Sequence, residues 1–221
     1  MPSILALSDA AIALTKALDD LGVEHGIFGG YAVAILGGPR ASKDIDCVVN
    51  CNKEWLVERL SAVEDFSSMG NARPDLAVFM YKREVLVELF PASMSSIDIE
   101  KVDVQGDKSG IQATKLLNPV FVYKGKLQAA ATRAKYSDAV DLLFLEGRYG
   151  EILRAQNRHF NRLYVGIALR RYSHLEASFR RLDLDVEASR QVAKDVEIEA
   201  LPRTSPPNAV QNGLMFNVRV P

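Results

Sequence analysis

The chain has 221 residues, 48% of them hydrophobic and 25% charged, enough to bury a full core and typical of a globular fold rather than a disordered or fibrous one. Twenty-seven basic and 28 acidic residues leave a net charge of -1, which excludes polyanion binding through overall charge, so any such contact must come from a local patch. Two cysteines, Cys47 and Cys51, and three scattered histidines, His25, His159 and His174, exclude a disulfide scaffold and argue against a Cys/His zinc site.

The first twenty residues lack a basic leader segment and gain charge too early for a secretory signal. No run of about 18 uncharged apolar residues marks a membrane span, so a cytoplasmic protein without a membrane partner is expected. Ser8 reads as the N-cap of a helix running to about residue 21, with Ile12, Leu14, Leu18 and Leu21 on its apolar face and Gly22 ending it. A short strand follows over 23–28, then Gly29-Gly30 and a second apolar helix through Leu36, broken by Gly37-Gly38-Pro39. Residues 44–49 read as a strand, and Asn52 caps a helix over 53–63. Two more strands, 76–81 and 85–90, are joined by the charged turn Lys82-Arg83-Glu84, and Pro91 closes the second. The stretch 92–110 is polar and mixed and reads as loop with a short strand at most.

From Lys124 the pattern turns helical, over 126–133, 137–146 and a long helix from about 152 to 182. The segment 201–221, with Pro202, Pro206 and Pro207, reads as a tail, although 215–220 could add an edge strand. The order predicts an α/β (α+β) core over 1–123, a mixed sheet flanked by helices, then a helical region over 124–200 and the tail.

The sharpest chemical signal is Asp44-Ile45-Asp46. Side chains two apart on a strand point the same way, so both carboxylates leave one face while Ile45 and Cys47 leave the other. Held that way they repel unless a cation lies between them, and hard oxygen ligands suit Mg²⁺ or Mn²⁺. Glu88, alone in the apolar run Val85-Leu86-Val87-Glu88-Leu89-Phe90, is costly to bury without a partner, which a metal shared with Asp44 and Asp46 would supply. Gly29-Gly30, between strand and helix, would let a triphosphate approach backbone N–H groups. Singly, each has a plainer reading: a surface strand end, an edge-strand gatekeeper, a tight turn.

At Gly29-Gly30, Arg40-Ala41-Ser42-Lys43-Asp44-Ile45-Asp46 and Glu88, the sequence resembles the nucleotidyltransferase superfamily related to DNA polymerase β. It is most similar to the branch holding bacterial toxin nucleotidyltransferases and the lincosamide- or aminoglycoside-modifying enzymes. Lys126 with Arg133, then Lys135-Tyr136-Ser137-Asp138-Ala139-Val140-Asp141-Leu142, is similar to a later segment of that pattern, so the resemblance spans roughly 23–145. It implies that Asp44, Asp46 and Glu88 hold the catalytic Mg²⁺ or Mn²⁺, with Gly29, Gly30, Arg40, Ser42, Lys43 and Lys126 on the nucleotide, ATP or another NTP. Asp138 would act as a base or position the acceptor, or else answer a helix dipole together with Asp141. Two departures stand out: Gly30 replaces a serine common in the family, and Glu88 a commoner Asp.

Between residues 148 and 181 eight arginines face only two glutamates. Arg154, Arg158 and Arg162, at i, i+4 and i+8, would line one face of the long helix, with Phe160, Tyr164, Ile167, Leu175 and Phe179 on the buried side. With Arg170 and Arg171 this basic stripe predicts contact with RNA, tRNA in particular; the plainer reading is a solvated face. The expected activity is transfer of an NMP from an NTP to a hydroxyl or phosphate acceptor on a small molecule, tRNA or protein. The alternatives are an aminoacyl-tRNA-using transferase or peptide-bond former on the same fold, and a non-catalytic nucleotide- or RNA-binding module.

Overall fold

The computed structural model describes residues 1–94, 97–202 and 204–215, in two units, Met1–Asn118 and Pro119–Pro221. In the first unit Ser3, not Ser8, caps the opening helix α1 (Ile4–Asp20), its side chain accepting from Ala6 N–H at 3.1 Å. Ser8 lies buried inside that helix, where its hydroxyl accepts from Tyr31 at 3.0 Å; a hydroxyl that ties two helices together is not available as a cap. Gly22, at φ 69°, ends the helix as expected.

The chain continues through β1 (His25–Phe28), α2 (Gly29–Ile35), β2 (Asp44–Val49) and α3 (Lys53–Leu60), the last capped by Asn52, which accepts from Trp55 N–H at 2.8 Å. Four of the remaining five strands are β3 (Phe66–Met69), β4 (Ala77–Tyr81), β5 (Val85–Pro91) and β6 (Ile99–Gln105), and β7 (Ile111–Leu117) completes the sheet. Lys82 and Arg83, both at positive φ, make the tight turn between β4 and β5. The sheet is mixed, in the order β3-β4-β5-β2-β1-β7-β6. Its centre is the parallel pair β2 and β5, with β1 antiparallel to β2 and parallel to β7.

The stretch read as loop with a short strand contains β6, paired along its whole length with β7. The turn of this hairpin is held from α1: the Asp9 carboxylate accepts from the N–H groups of Lys108 and Ser109, and Thr15 pairs with Thr114 at 2.8 Å. These partners lie about a hundred residues away in sequence, which is why local pattern does not reveal them.

The second unit is helical: α4 (Pro119–Thr132), α5 (Tyr136–Ala155), α6 (Arg162–Arg171), α7 (Glu176–Arg181), α8 (Val186–Val192) and α9 (Ala209–Met215). The long helix predicted over 152–182 does not form. Asn157 turns its amide to the carbonyls of Leu182 and Asp183, and Asn161 caps a new helix by accepting from Leu163 and Tyr164 N–H. Most of the buried stripe survives the break: Phe160, Ile167, Leu175 and Phe179 are in the core, while Tyr164 is half-buried. Part of the predicted tail is α9, which packs on α4, with the Lys124 ammonium donating to the Leu214 carbonyl at 2.8 Å. The edge strand read at 215–220 lies outside the described residues beyond Met215. Among the described residues no helix is long and apolar enough to cross a membrane, and both cysteines are free.

Candidate active site

Alternation along the central strands sorts the sheet into two faces. Ile45, Cys47, Val85, Val87, Leu89, Ala77 and Phe79 are fully buried on one. On the other, Asp46 pairs in register with Glu88 on one side and with Phe28 on the other, and Glu88 pairs in turn with Val78. Paired residues share a face, so Phe28, Asp46, Glu88 and Val78 form one row across four strands. Asp44 lies two residues back on β2, in the next row, beside Leu86. All three carboxylates are half-buried. Behind them Phe28 and Phe90 meet edge to face, ring centroids 5.5 Å apart, and give the row a buried apolar wall.

The glycine pair is explained by what lies against it. A Cβ on Gly29 would meet Asp46, 2.8 Å from Cγ and 2.9 Å from Cβ, with Oδ2 nearer still. One on Gly30 would meet Ser42 Oγ at 2.6 Å and the Arg40 guanidinium at 3.3 Å. The missing side chains thus admit Asp46, Ser42 and Arg40 to the start of α2. Ser42 is buried, and its hydroxyl lies 3.3 Å from Asp44 Oδ1 and 3.2 Å from the Asp44 carbonyl, which orients that carboxylate. Lys43 is exposed.

Sequence reading missed Arg73. Its guanidinium grips the buried Asp75 with two hydrogen bonds, Nε to Oδ1 at 3.0 Å and Nη2 to Oδ2 at 2.6 Å. Asp75, through that hydrogen bond above all, raises the Arg73 pKa, and the charge of Glu88 adds to the rise. Glu88 therefore sits in the field of a fixed arginine. The only sequence signal is Arg73-Pro74-Asp75, an acid and a base flanking a proline just before β4.

The donor set suits a hard divalent cation: three carboxylates on one face and no soft ligand. Among the described residues no three His, Cys, Asp or Glu side chains are drawn together closely enough to hold a metal ion. Asp44 has the Ser42 hydroxyl beside it, and Asp46 lies against Gly29.

The second unit gathers Lys126, Arg133, Asp138 and Asp141. Lys126, 3% exposed, lies 2.8 Å from Asp141 Oδ2 and 3.6 Å from Asp138 Oδ1. Arg133 grips both oxygens of the fully buried Asp138, at 2.9 and 3.1 Å. The basic stripe is not formed as predicted, because Arg154 lies in the last turn of α5, Arg158 in a 3-10 turn and Arg162 at the start of α6. Arg154 turns to the Arg181 carbonyl and to Asp183, and Arg170 and Arg171 donate to backbone carbonyls of the segment after α8.

No protein-family model and no curated protein matches the chain. Among solved structures it is similar to an antigenic nucleotidyltransferase-like protein from Paracoccidioides brasiliensis, with a TM-score of 0.51 at 16% identity, over 80% of this chain and 93% of that one. The chain has the nucleotidyltransferase fold. Weaker likenesses are to the lincosamide antibiotic adenylyltransferase LnuA (TM-score 0.44, 10% identity, 61% of this chain and 93% of that one) and to the antibiotic-resistance factor ANT(2'')-Ia (TM-score 0.45, 16% identity, 79% and 98%). The mixed sheet presents Asp44, Asp46 and Glu88 on one face.

Proposed function

We propose that this protein is a metal-dependent nucleotidyltransferase that moves an NMP from an NTP to a hydroxyl or phosphate acceptor. The observation that carries the reading is the register of β2 with β5, which sets Glu88 beside Asp46, with Asp44 two residues along the same face. Asp44, Asp46 and Glu88 would hold Mg²⁺ or Mn²⁺, which when bound neutralises triphosphate charge and lowers the pKa of an acceptor hydroxyl. Ser42 keeps Asp44 oriented. Arg40, beside Gly30, and the exposed Lys43 would meet phosphate charge from the same loop. Lys126 and Asp138 keep the nucleotide and acceptor roles in the proposal, and their mutual pairing would hold each in place. RNA remains a proposed acceptor class, although the arginines read as its contacts do not share one helix face.

The test is isothermal titration with each NTP and Mg²⁺, on the native chain and on Asp46→Asn. Binding that needs the metal and vanishes in Asp46→Asn is the expected result. Equal binding by both proteins would overturn the assignment of the three carboxylates. Tight, salt-sensitive tRNA binding with no NTP signal would favour the aminoacyl-tRNA-using transferase instead.

A further inference from the structure

The sheet of the first unit ends on β6, a seven-residue strand with no glycine or proline and an unbroken register against β7. The opposite edge, β3, has only four residues. Just beyond the two ends of β6, Asn118 N–H donates to the Asp98 carbonyl at 3.0 Å and Gly106 N–H to the Gly110 carbonyl at 2.8 Å. Both pairs continue the β6–β7 register. Hydrogen-bonded pairs alternate along an antiparallel ladder, so Glu100, Val102 and Val104 bond inward to β7. Ile99, Lys101, Asp103 and Gln105 therefore aim their backbone N–H and C=O groups out of the sheet, where no strand among the described residues pairs with them. The side chains of Lys101 and Asp103 are exposed, and neither has an ion-pair partner among the described residues. Lys101 stands opposite Lys115 in the hairpin, and Lys115 is already answered by Asp19.

A lysine in the middle of an edge strand ordinarily keeps other strands away. An aspartate two residues along the same face changes that for one partner, a second copy of the same strand. When two β6 strands pair antiparallel about Val102, Lys101 of each copy lies opposite Asp103 of the other. Ile99 then lies opposite Gln105 and Glu100 opposite Val104, so the whole strand is used. Only registers that set outward-facing residues opposite one another can bond. Among these, a two-fold axis at Glu100, Lys101 or Asp103 would set like charges face to face, and one at Ile99 or Val104 would leave most of the strand unpaired. We propose that β6 is a self-association edge, through which two copies of this chain join β6 to β6 in the Val102-centred register. Backbone hydrogen bonds make one continuous sheet across the two copies, and the symmetric Lys101–Asp103 pairs select the register. The contact is small beside a standard protein interface, so the dimer is a weak one.

The experiment is sedimentation velocity of the full chain at low salt, over a concentration series up to its solubility limit. Lys101→Glu and Asp103→Lys each put like charges at both symmetric places and should weaken dimerisation on the order of tenfold. Mixed in equal amounts, the two variants place opposite charges at both places again, and association should return to the native strength. The double variant, Lys101→Glu with Asp103→Lys, should also dimerise like the native chain. Rescue by mixing separates lost pairing from lost folding, because a misfolded chain is not restored by a second defective one. Glu100→Lys changes the net charge as much as Asp103→Lys but faces Val104 of the second copy, so it should dimerise as the native chain does. A chain that stays monomeric across the series, single variants that dimerise normally, or a mixture that fails to associate would overturn the proposal.

Discussion

Gly29→Ala probes the site most directly, because it adds one methyl and removes no functional group. Gly29 sits at φ 71°, where a residue with a Cβ pays about 1–2 kcal/mol. The new methyl would also fall 2.8 Å from Asp46 Cγ and 2.9 Å from Cβ, so side-chain rotation alone cannot clear it and the backbone must shift as well. Forcing a methyl into a packed place costs roughly 1–3 kcal/mol. The sum is about 2–5 kcal/mol, and Asp46 leaves the row it shares with Glu88. Gly22→Ala is the internal control, with nearly the same φ, 69°, but nothing within 4 Å of the added carbon. It should cost only the backbone share, about 1–2 kcal/mol.

The assay is urea unfolding of both variants, followed by Mg²⁺-NTP titration. The expected pattern is a larger midpoint drop for Gly29→Ala and a loss of nucleotide affinity in that variant alone. Equal midpoints together with native affinity in Gly29→Ala would refute the claim that glycine is there to admit Asp46.

Lys126→Met removes the ammonium from between two fully buried carboxylates and should destabilise the chain by about 3–5 kcal/mol, read as a lower urea midpoint. A fully stable variant that loses only nucleotide affinity would show that Lys126 serves the nucleotide and not the fold. His25, fully buried, donates from Nδ1 to the Val23 carbonyl at 2.9 Å, and its Nε2 has no hydrogen-bond partner among the described residues. Burial lowers its pKa below the usual 6.5, so the unfolded chain binds the proton more tightly. Stability is then full above pH 6.5 and falls as pH drops through that value toward the folded pKa. Urea midpoints from pH 7.5 to 5.5 should decline in the native chain and flatten in His25→Asn; parallel slopes would count against the assignment.

The central elements were legible because their signals are local. β2 forms over the residues read from the sequence, and its i, i+2 acids leave one face because strand geometry requires it. Asn52 caps α3 and Gly22 ends α1 for the same local reasons. What escaped was edge structure and distant support. β3 and β6 are the outer strands of the sheet, mostly exposed along their length, so they show little apolar alternation. The β6–β7 hairpin depends on Asp9, far away in sequence. The helix read through 152–182 fails because apolar period alone does not register Asn157 and Asn161, whose side chains bind backbone groups and interrupt the repeat. Arg73 escaped because its link to Glu88 exists only after β4 and β5 pair.

The glycine at 29 follows from the fold, given the row. β1 runs antiparallel to β2 and ends at Phe28, whose register partner is Asp46. The next residue must therefore turn away over the Asp46 side chain, and it does so at positive φ as the first residue of α2. Close approach and left-handed backbone coincide at one position, and each alone favours glycine. The same turn brings Gly30 against Ser42 and Arg40, the loop that precedes Asp44. The motif's glycines and acids, distant in sequence, are thus opposite sides of one contact. A substitution at Gly29 should be read out at Asp46 even with no nucleotide present.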